Sequence, residues 1–153
     1  MSEQIPQLKY GWIRGGRSGF IVPIGASEVI KSKSGRFVKN DGSGRAEIAG
    51  DGHTELIGFL DCGEFTASST EGADKRFCIN DVTAVFRIPV GTGTYTEALV
   101  GKTCDLIVSN SIQGAQVGVS SEDTVIIVGG DAVNNAYVDV MLNPVKLGAT
   151  GVV

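Results

Sequence analysis

Gly35-Arg36-Phe37-Val38-Lys39-Asn40-Asp41-Gly42-Ser43-Gly44-Arg45-Ala46-Glu47-Ile48-Ala49 is the stretch on which the reading of this chain turns. Two short runs flank five residues of Asn, Asp, Gly and Ser. Those residue types tolerate the positive φ that a tight chain reversal demands, so Asn40–Gly44 predicts a hairpin. Arg45–Ala49 alternates in character, as a half-buried strand does. Glycine is 22 of 153 residues, about twice the usual ~7%. The glycines fall between short runs rich in Val, Ile, Phe and Thr, which is the punctuation of an all-β domain.

Working outward from the hairpin, Phe20-Ile21-Val22 and Val29-Ile30 precede it as short strands, and Thr54–Cys62 follows after the Gly50-Asp51-Gly52 turn. Residues 66–76 are a polar loop. Phe77–Ile79, Val82–Val90, Asp105–Ser109, Thr124–Val128 and Ala136–Leu142 continue the strand pattern. One helix is expected over Thr94–Lys102, where Thr94 and Glu97 have capping-box spacing and Gly101 suits the stop. Roughly ten short strands and one short helix predict a small Gly-rich β-barrel or sandwich. The length fits a single β-domain over residues 15–153, preceded by an extended N-terminal arm over residues 1–14, in which Pro6 disfavours helix.

Composition narrows the function. A hydrophobic fraction of 42% can build a core. No apolar run approaches the ~20 residues that span a bilayer, so no membrane role is expected. The N-terminus lacks the basic and apolar regions of a signal peptide, and a cytosolic origin is expected. Cys62, Cys78 and Cys104 are odd in number and form no C-x-x-C pair, so free thiols follow. A zinc site from these three and His53 lacks the close paired spacing of structural sites, and no cofactor is expected. Residues 1–45 carry eight Lys or Arg against three acids, and the remainder five against fourteen. A basic end can be steered onto an acidic partner, or both sets of charges can simply be solvated. The acidic remainder argues against direct nucleic-acid binding.

Motifs for chemistry are sparse. Gly91-Thr92-Gly93-Thr94-Tyr95-Thr96 begins like a dinucleotide fingerprint, but has Thr96 in place of the third glycine and no βαβ pattern around it. Asp51, His53 and Glu55 alternate and would share one face of a strand, as a metal or acid–base site requires. On a turn they are solvated polar residues. The chain is therefore expected not to be an enzyme. The candidate binding residues are Ile5, Pro6, Leu8, Tyr10, Trp12 and Arg14, joined by Arg17, Lys31 and Lys33. They combine apolar anchors, the only tryptophan and basic groups, the usual composition of interface anchors. Packing of Tyr10, Trp12 and Ile13 into the chain's own barrel is the competing reading.

Three segments together resemble phage head-decoration, or capsid cement, proteins. These are the hairpin Gly35–Ala46 closing on Ile57-Gly58-Phe59, the run Leu99-Val100-Gly101-Lys102-Thr103-Cys104-Asp105-Leu106, and the ending Val138-Asp139-Val140-Met141-Leu142-Asn143-Pro144. The resemblance implies a structural virion protein, made in the bacterial host cytoplasm, that binds the exterior of the assembled capsid and stabilises it. Its partner would be the major capsid protein of the same phage, and it would act as a homo-oligomer, with a trimer favoured. A carbohydrate- or receptor-binding tail or fibre module is the alternative.

Overall fold

The computed structural model describes residues 10–148, and thirteen strands form among them. In chain order they are β1 (Gly11–Arg14), β2 (Gly19–Pro23), β3 (Val29–Ile30), β4 (Phe37–Asn40), β5 (Ala46–Ile48), β6 (Gly58–Leu60), β7 (Phe65–Thr66), β8 (Lys75–Ile79), β9 (Val85–Thr92), β10 (Thr103–Ser109), β11 (Ile112–Gln116), β12 (Val125–Gly130) and β13 (Tyr137–Leu142). The fold is all-β, as its glycine and β-branched punctuation requires.

The later strands close on themselves. β9 pairs in parallel with β11, β11 antiparallel with β10, β10 with β12, β12 with β13, and β13 returns to β9. Closure leaves a five-stranded barrel whose interior is filled by alternate side chains: Phe86 and Ile88 of β9, Leu106 of β10, Val125 and Ile127 of β12, and Val138, Val140 and Leu142 of β13. β1 adds to the start of β9, on the edge that β11 occupies further along.

The earlier strands form a second sheet in the order β2-β8-β6-β4-β5. It curls until its ends meet, because Ile24, just past β2, bridges to Ala46 of β5, and Gly25 N–H donates to the Ala46 carbonyl at 2.9 Å. At Phe37–Val38, Phe59–Leu60 and Cys78–Ile79 both faces of this sheet are buried, and neighbouring residues face opposite ways. Phe37, Phe59 and Ile79 join the closed barrel's core, whereas Val38, Leu60 and Cys78 line a second core with Val22, Ile24, Ile30, Ala46 and Ala67. The β3–β7 pair supplies Ile30 to that second core. Phe37, Phe59 and Phe86 weld the two units. Phe59 stacks on Phe86 at 4.3 Å between centroids, and Phe37 meets both edge-on at 4.8 and 5.4 Å.

The Asn40–Gly44 hairpin forms as its sequence predicts. Asn40 Oδ1 accepts from Gly42 and Gly44 N–H, and Asp41 Oδ1 from Ser43 and Arg45 N–H, at 2.8–3.2 Å. Three expectations need correction. The helix over Thr94–Lys102 is one 3-10 turn, Glu97–Leu99, whose N-cap is Thr96 with no side-chain cap bond. Tertiary ties prevail there: Tyr95 is buried in the barrel core and its N–H donates to Asn135 Oδ1 at 2.8 Å. The long strand over Thr54–Cys62 shrinks to β6, because Leu56 leaves the sheet to bridge Leu147. The arm boundary also moves. Gly11–Arg14 is a barrel strand rather than part of an arm, since Trp12 pairs with Phe86 in register. Residues 1–9 lie outside the described part of the chain.

Candidate interaction surface

One segment, residues 11–23, runs along both units. Its first half, β1, pairs with β9, and its second half, β2, with β8. β8 and β9 are themselves consecutive, so residues 11–23 lie antiparallel against residues 75–87 as one long ribbon. The joint between β1 and β2 is held by Asp81. Its Oδ2 accepts from the Ser18 hydroxyl at 2.9 Å and from Ser18 N–H at 3.3 Å. Its Oδ1 accepts from the Thr83 hydroxyl at 2.6 Å and Thr83 N–H at 2.9 Å. The bonds from Thr83 and then Ser18 hold the Asp81 carboxyl well below the usual carboxylate range. Glycine is required at this joint, because a Cβ on Gly15 would overlap the Thr83 carbonyl and one on Gly16 the Asp81 carboxylate.

Among the described residues no strand pairs with the other side of this ribbon before Ile24. β1 and β2 are terminal strands of their sheets among the described residues, and Gly11 at the start of β1 is buried whereas Gly19 of β2 is exposed. β2 also exposes Phe20 and, at 62%, Ile21. An open edge carrying exposed apolar side chains is a template for a further strand or a complementary surface. Beside it, Arg17 lies 4.4 Å over the Trp12 ring and donates a forked pair to Asp61 at 2.9 and 3.0 Å, while Trp12 Nε1–H donates to the Gly16 carbonyl at 3.0 Å.

The sequence-predicted binding residues divide accordingly. Trp12, Arg14 and Arg17 lie on the ribbon, with Arg14 exposed. Trp12 is half-buried against the barrel core, so packing claims its ring and the stack on Arg17 claims a face of it. Tyr10 precedes β1 near Arg87, which stacks 3.9 Å from the Tyr137 ring and forks onto Asp139 at 2.8 and 3.1 Å. Burial raises the Tyr10 hydroxyl pKa, against the pull of Arg87. Lys31 and Lys33 belong elsewhere, on the β3–β4 connection, where Lys31 Nζ donates to the Asn110 carbonyl at 2.6 Å. Ile5, Pro6 and Leu8 fall outside the described residues. Sequence reading missed Phe20 and Ile21 as surface residues. The pattern Gly15-Gly16 followed by Gly19 was the available signal, since it marks close backbone approach along an edge.

Among the described residues, part of the basic character of residues 1–45 is taken up in ion pairs and burial. Arg17 pairs with Asp61, Lys39 with Glu47 and Arg45 with Glu71, and Arg36 is buried. The Arg36 guanidinium donates to the Ser34 and Ser32 carbonyls at 3.1 and 3.3 Å, and burial lowers its pKa. Folding therefore pairs three of these basic residues with acids from the remainder of the chain.

The residues considered for chemistry are placed in structural roles. Asp51 and Gly52 are exposed on a turn, and His53 folds back so that its Nδ1 accepts Gly50 N–H at 2.9 Å. Cys78 lines the second core and Cys104 the barrel core, and burial pushes both thiols up to about 12. Cys62 is half-exposed; burial raises its thiol too, opposed by Arg36 and Arg76. Among the described residues, no three His, Cys, Asp or Glu side chains are grouped to hold a metal. Gly91 and Thr92 end β9 rather than forming a phosphate loop. No helix among the described residues is long and apolar enough to cross a membrane.

In comparison with known proteins, no protein-family model, curated protein or solved structure matches the chain.

Proposed function

We propose that this protein is a structural binding module of a phage virion, which docks on the exterior of the assembled capsid and stabilises it. The observation that carries the binding role is the open ribbon of residues 11–23, with Ile21 and Phe20 exposed beside the Trp12–Arg17–Asp61 stack. The chain's resemblance to head-decoration proteins supplies the partner, the major capsid protein. Two barrels welded through one aromatic cluster suit a rigid clamp. Many identical weak contacts over a shell give large avidity, and a ligand that prefers the assembled shell raises that shell's stability by mass action. In this reading apolar and backbone groups of the edge do the docking, with Arg14 contributing charge at the rim. A trimer at a shell symmetry axis is the assembly this reading favours.

Co-sedimentation with mature, expanded heads, run beside unexpanded shells, tests the proposal. Saturable binding to expanded heads at a fixed ratio to capsid subunits is expected. Ile21→Lys is expected to keep the fold and lose at least tenfold in affinity, about 1.4 kcal/mol. Binding to neither form overturns the proposal.

A further inference from the structure

Two buried carboxyl groups meet where the loop after β11 closes over the barrel. Asp105 of β10 is 1% exposed, and its oxygens accept the backbone N–H groups of Ser121, Glu122 and Asp123, each at 2.9 Å. Glu122 is 7% exposed. Its Oε1 accepts Gly52 N–H at 2.7 Å, whereas its Oε2 is buried without a donor and the carboxyl lies against that of Asp105. The charged groups facing Glu122 are Asp105 from β10 and Asp51 from the Gly50–His53 turn, both acidic. On its own loop, Asp123 is occupied in accepting from the Thr103 hydroxyl at 2.7 Å. Among the described residues, no ion pair reaches either carboxyl. Ionising Glu122 there would leave a buried charged oxygen without a donor, which is costly.

We propose that a proton carried on Glu122 Oε2 and donated to Asp105 latches the Gly50–His53 turn to the Ser121–Asp123 loop, so that the turn is released as pH rises. With the proton in place, Oε2 donates to Asp105 and Oε1 stays on Gly52 N–H, which satisfies every polar atom of Glu122. Without it, repulsion from Asp105 and Asp51 drives the side chain toward water and away from Gly52. The hydrogen bond to Asp105 and then burial raise the Glu122 pKa. The folded state therefore holds the proton more tightly than the unfolded chain. The stabilisation is complete below the ordinary glutamate range and is lost as pH rises through the raised value. The latch has a surface consequence. Gly52 and His53 line one cleft with Lys39 and Glu55, of about 290 Å³, and His53 also walls a second with Glu28 and Val108. Release of the turn reshapes both.

Glu122→Gln tests this, because the amide copies the protonated acid: its oxygen accepts Gly52 N–H and its NH2 donates to Asp105. His53 shares the turn and offers Nδ1 to Gly50 N–H, so the comparison is made in wild-type and His53→Asn backgrounds, where the Asn oxygen replaces that acceptor. The readout is the hydrogen-exchange protection factor of the Gly52 amide, with urea stability measured alongside, from about pH 5 to about pH 8. Wild-type protection is expected to fall at least tenfold over that range, while E122Q stays flat and matches wild type at the acid end. Equal profiles for wild type and E122Q overturn the proposal, as does a Gln variant that has lost Gly52 protection at every pH.

Discussion

Gln113 shows how much a single buried polar side chain organises here. It sits on β11 with no exposure, and its amide spans the boundary between the two units. Oε1 accepts Phe37 N–H at 2.9 Å, and Nε2 donates to the carbonyls of Phe37 and Ala49 at 2.8 and 2.7 Å. Its main chain continues the staple, donating to Ser34 Oγ at 2.8 Å and accepting from Gly35 N–H at 2.8 Å. Gln113→Leu keeps the bulk but strands Phe37 N–H and the Ala49 carbonyl. Phe37's carbonyl keeps Ala49 N–H. A loss of about 3 kcal/mol is expected in urea unfolding, in line with orphaning two buried groups. The cysteines allow a second residue-scale expectation. Cys62 is half-exposed, whereas Cys78 and Cys104 are buried with thiols near 12. In native protein, iodoacetamide followed by peptide mass analysis should label Cys62 and leave the other two until unfolding. Neither role is visible in the sequence. Gln113 reads as one polar residue in an ordinary strand, and its partners lie about seventy positions away, beyond the reach of any local pattern.

At the scale of elements, what the sequence disclosed is what forms locally. The Asn40–Gly44 return is built by side chains bonding to backbone within four residues, so its composition is sufficient to read it. The helix over Thr94–Lys102 was a local expectation that distant contacts overrode, through Tyr95 on the barrel core. The ribbon of residues 11–23 is the reverse case, since its partners at 75–87 are known only from the fold. Its joint at Asp81 yields a prediction with a definite sign. Because the folded-state pKa of Asp81 is depressed, its stabilisation is present above the ordinary aspartate range and is lost as pH falls through the lower folded value. Asp81→Asn, which keeps acceptor geometry at one oxygen and never ionises, should melt earlier than wild type near neutrality. The gap should narrow at about pH 2, below the unfolded value of ~3.9. Thermal melts at the two pH values check this. A gap of constant size would show that the joint depends on shape and not on the charge of Asp81. This trend is opposite to that of Glu122, so the two acids pull the pH profile in different directions.

At the scale of the whole molecule, two units with separate cores meet through one aromatic cluster and the Gln113 amide, and that junction governs how they come apart. At its centre the curled sheet is buried on both sides: Phe37 and Phe59 point into the closed barrel's core, while Val38 and Leu60, their immediate neighbours, point into the second core. Separation of the units would expose the Phe37–Phe59–Phe86 cluster and orphan the groups held by Gln113 in the same step. Neither unit can therefore melt and leave the other intact, although the strand order alone suggests two separable sheets. Trp12, on the closed barrel, and Cys78, inside the curled sheet, report on the two halves independently. Tryptophan fluorescence and peptide-resolved labelling of Cys78 should follow the same urea midpoint. Phe86→Ala removes the stacked ring at the weld and should lower stability by about 3–5 kcal/mol, moving both midpoints together. Two midpoints that part company in the Phe86 variant would mean that the weld, and not either barrel, is what makes this chain behave as one body. A midpoint split already present in the wild type would contradict the coupling of the two cores, and with it the rigidity that the proposed capsid clamp requires.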